Sequence, residues 1–239
     1  MTASTHHAHS SLIMNPPVIS PEVQALRPDF AALSIVVDGA RNLPSDPFCS
    51  EKLHMASTQG APAWGQEHLE SWREAYRAFG AKPQRTPSSA EALRKRVQRD
   101  GSLPPINAIV DLYNAISLQF SLPVGGEDAA AYVGTPRLVI ASGDEPFDTT
   151  QNGAPATEIV EAGEVIWRDD VGATCRRWNW RQGIRTRITE DSTRMWFILE
   201  RLDPMSMTAL AQAGEELLEG LRRLSPALVA TTQLIGRTS

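Results

Sequence analysis

Apolar positions recur every three or four residues between Trp64 and Phe120, then gather into short runs and alternations from Arg137 onward. The chain therefore reads as helices first and strands after. Trp64, His68, Trp72, Tyr76 and Phe79 share one face of a helix that Gly80 ends, which makes His68 a helix-face residue. The stretch TPSSAEALRKRVQRDG carries a capping Ser/Glu pair, Leu93 and Val97 on an inner side, and a terminal Gly101. Its Arg94, Lys95, Arg96 and Arg99 form a basic face, read as a solvated surface before a ligand site. In LPPINAIVDLYNAISLQFSLP, Ile106, Ile109, Val110, Tyr113, Ile116 and Phe120 make an apolar stripe, and Pro123 stops the helix. Asn107, Asp111 and Asn114 recur on a second face, either solvent-facing with Asn107 as a cap or aimed into a cleft.

The segment GGEDAAAYVG predicts a turn and a short helical piece. Strands are expected in FAALSIVVDG, RLVIASG, GEVIWRD, ATCRRWNW, IRTRIT and RMWFILERL, with Asp169 to Gly172 as a hairpin turn. A closing helix carries Leu210, Leu217, Leu218 and Leu221. This order predicts an α+β fold with a mainly antiparallel or mixed sheet. Residues 1–20, rich in Ser, Thr, His and Pro, read as a mobile lead-in.

Composition changes the picture little: 41% hydrophobic and 21% charged residues describe a soluble globular chain. No basic-then-apolar leader and no membrane-length apolar run is present, so the expected address is the cytoplasm and no membrane is expected. Cys49 and Cys175 are too far apart in sequence to suggest a disulfide framework. His6, His7, His9, His54 and His68 have no metal-binding spacing, so no metal is expected. Without Walker or Rossmann glycines, no cofactor is expected either.

Charge does single out one place. The chain carries a net charge of -5, yet CRRWNWRQGIRTRIT holds five arginines, two tryptophans and no acid. As an extended strand it would put Arg176, Trp178 and Trp180 on one face and Arg177, Asn179 and Arg181 on the other. Such groups can stack a planar ring and bind phosphate or carboxylate, or the tryptophans can be core with arginines at the sheet edge. Cys175 in an apolar strand reads as a small buried hydrophobe, with a thiolate as the alternative.

PINAIVDLYNAISLQFSLPVGGED and GEVIWRDDVGATCRRWNWRQGIRTRITEDSTRMWFILE together resemble the B3/B4 domain of the phenylalanyl-tRNA synthetase beta subunit in free-standing form. The resemblance covers roughly residues 64–224 and implies one domain over residues 21–239. It places Asn107, Asp111 and Asn114 on the family's polar stripe, matches Asp128, Thr189 and Thr193, and makes Glu200 the editing-site glutamate. Gly125 stands where the family has a histidine, and RRWNWRQG replaces a glycine-rich segment. The resemblance implies trans-editing hydrolysis of a mischarged aminoacyl-tRNA, with Glu200 binding the α-ammonium or orienting water. Around it, Arg176, Trp178, Asn179, Arg181, Gln182, Arg185 and Thr186 would receive a tRNA 3′ end or an amino acid. A cationic partner for Glu200 is expected from Arg185 or Arg176. The alternative is a non-catalytic binder of an amino acid, a small anion or an RNA end.

Overall fold

The computed structural model describes residues 14–237. His6, His7, His9 and the first part of the lead-in lie outside them. The chain begins with strand β1 (Val18–Ile19), helix α1 (Pro21–Leu26) and strand β2 (Ala31–Asp38). Four helices follow: α2 (Pro47–Thr58), α3 (Gly65–Ala78), α4 (Ser89–Asp100) and α5 (Ala108–Phe120). Then come β3 (Val124–Asp128), β4 (Arg137–Ile140), β5 (Pro146–Gln151), β6 (Ala154–Ile159), β7 (Val165–Arg168) and β8 (Ala173–Arg176). The chain closes with β9 (Arg181–Gln182), β10 (Arg194–Arg201), α6 (Met207–Leu224) and β11 (Val229–Gly236). This is the α+β architecture that the pattern predicts.

The strands form two sheets. One runs β1-β4-β7-β8-β5-β6, with β9 hydrogen-bonded to β8; the other is the antiparallel β11-β2-β10-β3. Helices α5 and α6 bury Ile109, Leu112, Ile116, Leu210, Leu217 and Leu221 against one face of the second sheet. Its other face meets the first sheet through Trp167, Trp196, Ile198 and Trp178, sealed by Trp72 and Tyr76 of α3. Each long helix starts on a side-chain cap where the sequence offers one: Asp46, Ser88, Asn107 and Ser206 accept the N–H three residues on.

Several readings change. Val18–Ile19 pairs in parallel with Arg137–Leu138, so this part of the lead-in is held in a sheet. Ile106 is exposed because the helix begins only at Ala108. ATCRRWNW is a strand only as far as Arg176: Arg177 and Trp178 take positive φ, 46° and 66°, and turn the chain back into β9. IRTRIT forms no strand; Arg187 makes a single bridge to Glu127. His68 lies on the α3 face it shares with Trp72 and Tyr76, and that face is fully buried. Its Nδ1 bonds the Ser121 carbonyl at 2.8 Å, while Nε2 accepts from Trp72 and from Leu202 N–H.

Candidate functional site

Alternation along β10 sends Met195, Phe197 and Leu199 into the helix-side core and Trp196, Ile198 and Glu200 toward the first sheet. On the neighbouring β3, Glu127 lies opposite Trp196 and Gly125 opposite Ile198. Glycine leaves room there. A Cβ on Gly125 would sit 3.1 Å from Ile198 Cγ2, and one on Gly126 would sit 2.9 Å from the Tyr113 ring. Between these strands, β7 and β8 of the first sheet, and helices α4 and α5 lies a cavity of about 330 Å³. Four of the six tryptophans reach it: Trp167, Trp178, Trp180 and Trp196.

Glu200 lies fully buried in the cavity wall. Trp167 Nε1 and Asn179 Nδ2 each donate to its carboxylate at 2.9 Å, and Tyr76 Oη in turn donates to Asn179 Oδ1 at 2.8 Å. The turn makes this possible, because positive φ at Arg177 and Trp178 swings Asn179 back toward β10. Desolvation pushes the Glu200 carboxyl up to about 7; the Trp167, Asn179 and Trp178 N–H groups only partly offset it. Trp178 Nε1 itself is buried and lies outside hydrogen-bonding geometry to any acceptor. The expected cation is absent from this shell. Arg176 is committed to Glu164 and Glu158, and Arg185 to Asp169.

The cavity holds a second carboxylate that the sequence motifs do not single out. Glu127 is 5% exposed, lines the same cavity, and accepts from the Tyr132 hydroxyl. Burial pushes it up to about 8, with Asp169 adding to the rise and Thr186, Arg185 and Gln182 opposing it. The signal that could have found it is period two on β3, which pairs Glu127 with Gly125 and turns Asp128 away. Asp128 instead caps the next turn through Ala130 N–H and accepts from Ser192 Oγ.

The structure gathers part of the expected set. Asn114, Trp178, Asn179, Gln182 and Glu200 line the cavity, together with Arg96 from the basic face of α4. Asn107 is the α5 cap, and Asp111 is buried against Ser45 and the Ile106 N–H. Arg176, Arg181, Arg185 and Thr186 are not among the lining residues. Arg181 donates to Thr149 Oγ1 at 2.7 Å and faces the Trp180 ring. Thr186 is buried and gives its backbone carbonyl to Asp128 N–H and to the Gln182 amide. Cys175 lines the cavity, but burial and the two glutamates push its thiol well above its ordinary value, which disfavours a thiolate.

Among the described residues no cluster with metal-ligand character occurs and no helix is long and apolar enough to cross a membrane. The sequence model of the B3/4 domain family matches residues 71–215, a span that contains α4, α5 and every strand of the cavity wall. The chain belongs to the B3/4 domain family, whose domain is associated with the tRNA-binding and editing module of the phenylalanyl-tRNA synthetase beta subunit. No curated protein matches the chain.

Proposed function

We propose that this B3/4 protein is a single domain over residues 21–239 that acts in trans on a mischarged aminoacyl-tRNA and hydrolyses its ester bond. The observation that carries the reading is the Glu200 carboxylate, buried at a ligand-sized cavity and held by neutral donors alone. A carboxylate has about four lone-pair sites, and Trp167 and Asn179 take two. The remaining two suit the α-ammonium of the aminoacyl group and the attacking water. The ester is already activated, so orientation and charge stabilisation supply most of what the reaction needs.

In the reaction, water oxygen bonds to the ester carbonyl carbon and its proton passes to Glu200. Burial raises this carboxyl and the bound α-ammonium lowers it again, so at neutral pH it meets the water in the ionised, proton-accepting form. The carbonyl oxygen, negative in the tetrahedral state, receives the Trp178 indole N–H, which lies beside Glu200 but outside hydrogen-bonding geometry to it. The proton then goes to the departing ribose oxygen, giving a free amino acid and an uncharged 3′ end. Arg96, half-exposed on α4 and 3.8 Å from Asp100, would meet the phosphate on the 5′ side of that ribose.

Deacylation of a panel of aminoacyl-tRNAs tests this. A rate above the spontaneous one for at least one member, lost in Glu200→Gln, is the expected result; spontaneous rates throughout would refute it. Gly125 favours a second reading, since it stands where the histidine is expected and among the described residues no histidine lines the cavity. On that reading the domain binds an amino acid or RNA end without turnover. Amino acids would then raise the melting temperature while every ester stays intact.

A further inference from the structure

We propose that the cavity is built for an organic dication: two amino groups at the ends of a short aliphatic chain, as an aminoacyl ester with a basic side chain presents. The identification of one of those groups as an α-ammonium rests on the aminoacyl reading above. Three features of the cavity select this ligand class.

The first is the placement of its acids. Glu200 and Glu127 enter the same cavity from β10 and β3. Glu127 is paired opposite Trp196, four residues before Glu200, so about 13 Å of strand separates their backbone positions. They serve two ends of a ligand rather than one point. Cys175, on the opposing β8, lines the same cavity as both acids.

The second feature is the wall. Trp167, Trp178, Trp180 and Trp196 line the space, and aromatic faces attract organic cations more strongly than they attract neutral chains. An aliphatic stem ending in an amino group fits a surface of this kind, since the stem lies on the rings and the charge meets a carboxylate. The third is where positive charge is found. Arg96 is the cationic lining residue, and it stands on the exposed side of α4. Two acids lie inside and the arginine stands at the rim, the reverse of an anion pocket. Burial lifts Glu200 to about 7 and Glu127 to about 8, and a cation seated on each would bring both down again. Arg185, the cation that also opposes the rise at Glu127, is held by Asp169.

The test compares L-lysine methyl ester, L-norleucine methyl ester and 1,5-diaminopentane on the full chain at pH 8, by titration calorimetry. We expect the lysine ester to bind at least tenfold more tightly than the norleucine ester, which has the same stem without the second amino group. Glu127→Gln should remove that preference and leave the norleucine ester unchanged. The wild-type comparison alone decides the matter if the variant does not fold. Equal binding of the two esters overturns the dication and leaves the aminoacyl reading standing. Binding of neither overturns both. A diamine that binds as tightly as the lysine ester keeps the dication and overturns the aminoacyl reading.

Discussion

Glu200→Gln should make the protein more stable, and more so the higher the pH. The wild-type carboxyl has an ordinary value of 4.5 and stands at about 7 in the fold. A raised acid favours folding while it is protonated: its contribution is fully present below about 4.5 and is lost as pH rises through 7. Linkage with those two values gives a cost of under about 1 kcal/mol at pH 5 and about 3 kcal/mol at pH 8. The variant has no such slope, so its advantage over wild type should grow by about 2–3 kcal/mol between the two pH values. The amide can be accommodated. Asn179 can turn over to accept from the N–H that the substitution introduces, while the Tyr76 hydroxyl switches from donor to acceptor. Urea unfolding of both proteins at pH 5 and pH 8 measures the difference. Parallel pH dependence would refute the assignment of Glu200 as a buried acid held only by neutral donors.

Other outcomes follow from the groups around the cavity. Arg176→Ala removes the bidentate partner of buried Glu164 but leaves it the Arg177 guanidinium and backbone N–H, so the variant should lose about 1–3 kcal/mol in denaturant unfolding. Arg181→Ala removes a bond to Thr149 outside the cavity; the salt slope of tRNA binding should therefore stay as in wild type. Salt titration checks it, and a slope flattened by about 0.7 would put Arg181 on a phosphate. His68 is depressed to about 4 by burial, so its contribution to stability is present above 6.5 and is lost as pH falls through 4. Across that window the loss amounts to about 3 kcal/mol, and acid unfolding of His68→Gln should show a correspondingly shallower limb.

Local rules were enough for helices α3 to α6 and for the fold class. The three-and-four spacing of Trp64 to Phe79, the cap at Ser88 and the glycine at Gly101 define α3 and α4 by themselves, because each depends on residues within one or two turns. Asn107 likewise reads as a cap from its position alone. The polar β5–β6 hairpin escapes the apolar pattern although Asn152-Gly153 is a strong turn signal, since its strands are largely exposed and carry no apolar period. Helix α2 and strand β11 escape it too; α2 has a weak apolar pattern and β11 is an exposed edge.

The site divides in the same way. Sequence singled out Glu200 and the tryptophan-rich stretch, because rare residue types in a short motif are visible without a fold. It could not decide what the arginines touch. Arg176 finds Glu164 and Arg185 finds Asp169 across strand pairings and turns, and a guanidinium meets whichever carboxylate the tertiary fold brings to it. Period two could have put Glu127 on the Gly125 face of β3, but only the fold shows that this face shares a cavity with Glu200. An acid looks the same in sequence whether it is hydrated or buried. Only the closing of two sheets over it removes the water that would have held its pKa at the ordinary value.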